Sequence, residues 1–160
     1  MKEMNISRLA ACTVVCLGAL ALLSADTNEQ EERKKLVGVW NGFTVEGRGE
    51  TPDRGPVKLK LTVSEKTIKG IQFDGSKVVD HGEGEFTIDM SQNPKHLDAA
   101  KTNERGRKVE YFGIYKLEGD TLKWCVSPRK QRPTDFQTGN GNFLVIVKRQ
   151  KEALQGQGAK

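Results

Sequence analysis

The stretch VKLKLTV, residues 57–63, alternates apolar and polar side chains at every position. Successive side chains of an extended strand point to opposite sides, so this period of two collects the apolar groups on one face. The same alternation recurs within residues 86–90, 122–127 and 143–149. Each of these segments therefore predicts a strand with one buried face and one solvated face.

The polar half of this pattern also indicates how the strands pair. Parallel strands are usually covered on both faces and lose their polar positions, whereas antiparallel strands keep them. Short turn signals separate the segments, and no long helical pattern lies between them. We predict an all-β fold, an eight-stranded antiparallel up-and-down barrel that leaves no open sheet edge. The predicted strands are 38–47, 56–64, 67–74, 83–90, 95–102, 107–117, 121–127 and 142–149.

Two segments need separate interpretation. The triplet Gly82-Glu83-Gly84 is interpreted as part of the turn before the fourth strand. The strand at 107–117 has apolar groups on both faces, because Phe112 and Ile114 alternate with the inward set. Either the N-terminal helix or the loop at 128–142 would have to cover its outer face, and the sequence does not choose between them.

The N-terminus has the pattern of a secretory signal peptide. Lys2 and Arg8 precede an uncharged apolar run at 9–23, which is shorter than the roughly 20 residues needed to span a bilayer. We predict cleavage after Ala25, with a cut after Ala21 as the alternative, and a secreted or periplasmic location. No membrane span then remains.

Lipid attachment is the competing interpretation of this segment. Cys12 opens the apolar run instead of following it, and Cys16 lacks the usual preceding leucine and small residue. Export without a lipid anchor is therefore favoured. The mature chain keeps one cysteine, Cys125, so we expect no internal disulfide. We expect Cys125 to be a small strand residue that a neighbouring loop shelters, and not a reactive thiol.

The predicted organisation has four parts. Residues 1–25 are the signal peptide, 26–35 form a polar segment with a short helix, 36–149 form one barrel domain, and 150–160 form a disordered tail. Signal removal lowers the formal net charge of +5 by one, and acidic residues are interspersed with the basic ones. We therefore expect no nucleic-acid partner.

The start of the first strand carries a family signature. Gly38-Val39-Trp40 resembles the Gly-x-Trp motif of lipocalins and their relatives. The resemblance implies that Trp40 closes one end of the barrel and that a basic residue of the last strand lies across it. Lys148 and Arg149 are both placed for that role, and Arg149 is favoured because a guanidinium stacks well on an indole.

Later blocks extend the resemblance over nearly the whole mature chain. They are Phe86-Thr87-Ile88-Asp89, Asn93-Pro94-Lys95, Gly113 to Lys123, Cys125, Arg132-Pro133-Thr134-Asp135-Phe136 and the Lys148-Arg149 ending. Together they resemble a family of exported lipocalin-like domains abundant in planctomycete bacteria. This resemblance implies a bacterial, exported barrel and brings no activity, ligand or catalytic residue with it.

The sequence offers no convergent catalytic constellation, and we expect neither an enzyme nor a cofactor. No nucleophile elbow occurs, and neither histidine has a recognisable triad context. Asp80, His81 and Glu83 form the best local cluster for a metal, but their glycine neighbours favour a polar hairpin loop. The carboxylates Glu85 and Asp89 fall on a solvated strand face.

Two functions remain. The first is a carrier or sensor of a small apolar or amphipathic ligand, held at the mouth opposite Trp40. The second is an envelope or extracellular interaction module with a protein partner and a filled barrel. The number of inward aromatic residues favours filling. If a ligand binds, we expect it to contact Tyr111, Tyr115, Trp124, Arg132 and Phe136, because tyrosine and tryptophan pair an apolar face with a hydrogen-bonding group.

Overall fold

A computed structural model describes residues 27–46, 56–139 and 141–151. The predicted signal segment, with Cys12 and Cys16, and all but the first two residues of the predicted tail lie outside this part of the chain. One helix, α1 at 27–36, precedes the strands. The strands are β1 Gly38–Glu46, β2 Val57–Val63, β3 Thr67–Asp74, β4 Lys77–Asp89, β5 Lys95–Thr102, β6 Lys108–Glu118, β7 Thr121–Ser127 and β8 Phe143–Arg149.

The eight described strands form one closed barrel in chain order. Each strand pairs antiparallel with the next, and β8 returns to pair with β1. Tight turns follow from glycines in the left-handed region, such as Gly75 between β3 and β4 and Gly119 between β6 and β7. The predicted eight-stranded up-and-down barrel with a short N-terminal helix is confirmed.

The fourth strand differs from its prediction, since it begins at Lys77 and not at residue 83. The triplet at 82–84 is no turn: Gly82 has a φ of 74°, and the β3–β4 register shifts between Lys69 and Ile71. This is a β-bulge inside the strand. A bulge and a turn both need glycine at positive φ, so the local sequence looks the same for both. The cluster around His81 therefore lies on a strand instead of in a hairpin loop.

The closed end of the barrel is built around Trp40. Its side chain is fully buried, and its Nε1 donates a 2.9 Å hydrogen bond to the Leu36 carbonyl oxygen. The Arg149 guanidinium carbon lies 4.2 Å from the centre of the indole, and Nη1 donates to the Val37 carbonyl oxygen at 2.6 Å. The register of β8 turns Arg149 inward and leaves Lys148 exposed. The last turn of α1 and this stacked pair together cap the barrel.

The helix also contributes a carboxylate to the same end, which the sequence analysis missed. Glu32 is only 5% exposed, and its Oε1 accepts hydrogen bonds from Lys95 Nζ at 2.6 Å and from the Tyr115 hydroxyl at 3.3 Å. Burial alone would raise the pKa of Glu32, but the hydrogen bonds and charges of Lys95 and Lys35 outweigh it and hold the pKa below its usual value. The helix is therefore tied to the barrel by the buried Glu32 carboxylate, which pairs with the partly exposed Lys95 ammonium.

The outer face of β6 is covered by the β7–β8 loop, which settles the question left open above. Arg132 stacks on Phe112, with its guanidinium carbon 5.6 Å from the ring centre. The Cys125 thiol, beside Ile114 in the sheet, lies 3.5 Å from the Gln137 carbonyl oxygen. Ile114 and Cys125 are consequently buried on the outside of the barrel.

Among the described residues, no helix combines the length and apolar character needed to span a membrane.

Candidate functional site

The half of the barrel away from Trp40 contains a cavity of about 320 Å³. Its walls are mostly apolar and come from all eight described strands, with Leu59, Leu61, Ile68, Trp124, Phe143 and Val145 among the lining residues. Exposed His81 and Gly82 also line it, so the cavity reaches the surface at this end. This volume lies at the lower end of the range typical of small-molecule sites.

Small inward residues explain why the cavity exists. Gly70, Gly84 and Ala99 occupy inward positions on β3, β4 and β5, and all three line the cavity. At the other end the inward positions hold Trp40 and Tyr115, which fill the space. The expectation of a filled interior is therefore wrong for the open half. The number of aromatic residues pointed to filling, whereas the small residues at inward positions of β3, β4 and β5 were the sequence signal for the cavity.

The cavity floor is formed by Trp124, whose indole lies over a glycine of the neighbouring strand. A side chain at Gly113 would clash, since an ideal Cβ there would lie 2.2 Å from Trp124 Nε1. The same Nε1 donates a 3.0 Å hydrogen bond to the Leu97 carbonyl oxygen, across β6. The Leu97 carbonyl oxygen is thus bonded to the indole, and the Gly113 backbone N–H donates to the Asp98 carboxylate at 3.1 Å. The indole is thus held in one orientation against the cavity.

Polar groups gather at the mouth around the bulge in β4. His81 Nε2 and Gln72 Oε1 lie 2.8 Å apart in a hydrogen bond, and the Lys101 ammonium donates to the His81 carbonyl oxygen. All three residues line the cavity, as does Tyr111. Burial raises the pKa of Tyr111, so its hydroxyl keeps its proton at neutral pH. The mouth therefore presents both hydrogen-bond donors and acceptors.

One polar group lies within the apolar wall. Thr44 on β1 is 2% exposed and lines the cavity, and its Oγ1 has no hydrogen-bond partner in the described part of the chain. Its neighbours in the sheet are Val57 and Val145. Buried hydroxyl groups are usually paired, so this atom is an exception that asks for an explanation.

The structure brings together only part of the predicted site. Tyr111 and Trp124 line the cavity, whereas Tyr115 lies at the closed end beside Glu32. Tyr111 and Tyr115 both point inward on β6, but they are four positions apart, which is about 13 Å along a strand. Their alternation was read correctly from the sequence, but their depth was not. Burial, followed by the charge of Glu32, raises the pKa of Tyr115.

Arg132 and Phe136 lie on the loop that crosses the outside of the barrel, away from the cavity lining. Arg132 Nη1 and Nη2 bind the two Asp98 carboxylate oxygens at 2.5 and 2.7 Å, and Nη1 also donates to the Gly113 carbonyl oxygen at 2.6 Å. The guanidinium therefore bridges β5 and β6 where their ladder is interrupted. Its role in this geometry is to anchor the loop.

The described residues contain no group of three or more histidine, cysteine or acidic side chains placed to hold a metal ion. Cys125 is fully buried, and burial, with the nearby charge of Asp135, raises the pKa of its thiol to about 11. The thiol is therefore protonated at neutral pH and is a weak nucleophile. What the cavity offers is shape, apolar surface and a few hydrogen-bonding groups.

Comparison with family models, with curated proteins and with solved structures finds no match to this chain.

Proposed function

We propose that the protein is an exported carrier or sensor that binds a small apolar or amphipathic molecule in its barrel. The cavity of about 320 Å³ is the observation that carries this proposal. Its apolar walls favour hydrocarbon surface, and the polar groups at its mouth suit a ligand with one hydrophilic end. The ligand site consists of Thr44, Tyr111 and Trp124 together with the mouth residues Gln72, His81 and Lys101.

The volume limits the size of the ligand. At roughly 30 Å³ for each non-hydrogen atom, a cavity of this size encloses about ten such atoms. Two fused aromatic rings or a medium-length alkyl chain fit within that limit. Retinoids and haem exceed it, so we expect them to bind weakly or not at all.

The proposal is tested by titrating the purified protein with medium-chain alcohols, medium-chain carboxylates and two-ring aromatic compounds. Tryptophan fluorescence reports binding, because Trp124 forms the floor of the cavity. Native mass spectrometry of protein purified from its own host provides an independent readout, since it detects a retained ligand. Saturable binding of at least one compound class supports the proposal.

A cavity-filling variant makes the test specific. Ala99→Leu adds three non-hydrogen atoms to a residue that lines the cavity, which removes more than a quarter of the volume at roughly 30 Å³ each. We expect it to weaken binding at least tenfold while keeping the fold. Thr62→Leu, on the exposed outer face of β2, is the matched control. Equal binding by wild type, Ala99→Leu and Thr62→Leu would refute a site inside the barrel.

The second candidate, an interaction module, rests on a row of apolar side chains outside the barrel. Phe43, Phe73 and Val78 are 46%, 39% and 61% exposed, and the strand register aligns them across β1 to β4. If no compound binds the cavity, this candidate becomes the better one. Its own test is whether Phe73→Ser abolishes capture of a protein partner that wild type retains.

A further inference from the structure

The side chain of Lys101 lies on the inward face of the barrel, at the cavity mouth. On β5 it shares a face with Leu97 and Ala99, which are both buried inside the barrel. Lys101 lines the cavity and is partly exposed. Its ammonium group reaches β4, where it donates a solvent-exposed hydrogen bond to the His81 carbonyl oxygen. The ammonium is therefore held at the rim, where an occupant of the cavity can reach it.

The imidazole of His81 faces the same space. An ideal Cβ added to Gly70, an inward position on β3, would lie 4.0 Å from His81 Cδ2. The ring nitrogen Nε2 is hydrogen-bonded to Gln72 Oε1 at 2.8 Å, and Gln72 also lines the cavity. The residue whose carbonyl oxygen holds the Lys101 ammonium is thus itself fixed at the mouth.

The positive charge of Lys101 has no acidic counterpart in the described part of the cavity wall. None of the described lining residues is an aspartate or a glutamate. Asp80, next to His81 in the sequence, is on the outer face, where its carboxylate pairs with Lys69 Nζ at 2.9 Å. An ammonium group has three N–H donors, and within the described residues the bond to His81 is the one that Lys101 makes. Charge complementarity therefore favours an anionic group at the rim.

We propose that the ligand is a small apolar carboxylic acid, bound as its carboxylate, whose anionic head pairs with Lys101 at the rim while its apolar body fills the cavity. The inference rests on the proposed function, because it assigns a chemical class to the occupant of the same cavity. A carboxylate at the rim keeps part of its hydration, which avoids the cost of burying a charge among apolar groups. The wall below the rim, with Leu59, Ile68 and Val145, suits a hydrocarbon body.

Three naphthalene derivatives test the proposal, because their ring system has about the number of atoms that the cavity encloses. 2-Naphthoate carries a carboxylate, 2-naphthamide is its neutral counterpart of nearly equal shape, and 2-naphthylmethylammonium carries the opposite charge. Isothermal titration calorimetry at neutral pH gives the Kd of each probe for wild type, Lys101→Met, Lys101→Arg, Lys101→Glu and the control Lys58→Met. The measured quantity is the preference for 2-naphthoate over 2-naphthamide, so changes in cavity shape that affect both probes cancel.

We expect wild type to prefer 2-naphthoate, and Lys101→Met to reduce this preference about fivefold to tenfold, as for the loss of one partly exposed charged hydrogen bond. Lys101→Arg keeps the charge and should keep most of the preference, and Lys101→Glu should favour 2-naphthylmethylammonium. Lys58 is exposed on the outer face of β2, between Phe43 and Phe73 in the register. Lys58→Met removes the same charge outside the barrel and should leave the preference unchanged.

Salt provides a second readout of the same contact. Added salt screens the attraction between exposed charges, so it should lower the preference of wild type and leave that of Lys101→Met nearly constant. Circular dichroism checks that each variant is folded. If Lys101→Met does not fold, Lys101→Arg and Lys101→Glu give the comparison, since one keeps the charge and the other reverses it.

The outcomes separate this inference from the proposed function. Equal affinity of wild type for 2-naphthoate and 2-naphthamide would overturn the carboxylate class and leave the cavity as a ligand site. A preference that survives Lys101→Met or Lys101→Glu, or that Lys58→Met lowers as much, would overturn the role of Lys101. If no probe binds folded wild type, the proposed function fails, and the inference fails with it.

Discussion

Replacing Gly113 with alanine should destabilise the barrel and disturb the cavity floor, because Trp124 lies directly over this glycine. An ideal Cβ at position 113 would lie 2.2 Å from Trp124 Nε1 and 2.8 Å from the Leu97 carbonyl oxygen. Both distances are far inside van der Waals contact. The indole must therefore move and lose its 3.0 Å hydrogen bond to Leu97.

The size of the effect follows from these two consequences. Inserting a methyl group into a packed core costs about 1–3 kcal/mol. Leaving a buried hydrogen-bonding group unpaired costs a further 1–3 kcal/mol or so. We expect Gly113→Ala to lower the free energy of unfolding by about 3–4 kcal/mol, which for a domain of this size lowers the Tm by about 10–20 °C.

The assay is urea unfolding followed by circular dichroism, with tryptophan emission of the native state as a second readout. Gly70→Ala is the matched control, since Gly70 is also inward and lines the cavity, but an added Cβ would meet its nearest neighbour at 3.6 Å. That distance is ordinary contact. We expect Gly70→Ala to change stability by less than about 1 kcal/mol, helped by a smaller entropy loss on folding.

Equal stability of the two variants, with unchanged emission from Gly113→Ala, would refute the reasoning. It would mean that Trp124 does not lie over Gly113. The cavity would then have a different floor, and the site proposed around Trp124 would have to be rebuilt.

Three further predictions concern the charged and buried groups. In a double-mutant cycle measured by urea unfolding, Arg132→Met and Asp98→Asn should show a coupling energy of about 1–2 kcal/mol. This value is reduced because both side chains are partly exposed. Strict additivity of the two substitutions would show that the ion pair contributes nothing. Burial raises the pKa of Cys125 from 9.0 to about 11. Between pH 9 and 11 the unfolded chain loses the thiol proton more readily than the folded one, so the stability that the buried thiol contributes below pH 9 is lost over this range. Cys125→Ala should therefore lose less stability than wild type over that range, and identical curves would contradict the shift. Because the pKa of Glu32 is held below its usual value of 4.5, the ionised carboxylate stabilises the fold above pH 4.5, and this stabilisation is lost on acidification. Glu32→Gln should therefore lose less stability than wild type below pH 4.5, as measured by thermal unfolding.

Several parts of the site were within reach of sequence reasoning. Alternation assigned the inward faces, so Tyr111 and Trp124 were correctly placed inside the barrel. The Gly-x-Trp motif pointed to the stacking of Arg149 on Trp40, which the structure shows at 4.2 Å. Alternation gives the direction of a side chain and says nothing of its depth, so Tyr115 was assigned to the wrong end.

Other parts depend on contacts between residues far apart in the chain. The Glu32 carboxylate can be buried because Lys95 and the Tyr115 hydroxyl, 63 and 83 residues away in the sequence, donate hydrogen bonds to it. In isolation the segment at 27–36 is a polar helix with little to bury. Arg132 was expected at the ligand, but a partly buried carboxylate at Asp98 gives its guanidinium a stronger partner outside the barrel.

The sequence by itself determined the number of strands, their antiparallel order and which side chains face inward, because these depend on local periodicity and on turns of neighbouring residues. The tertiary structure alone decided where the interior is filled and where it is empty. That outcome depends on which inward residues of different strands share a level of the barrel, and strand register sets the level. Gly70, Gly84 and Ala99 all line the cavity, so the open half of the barrel stays unfilled.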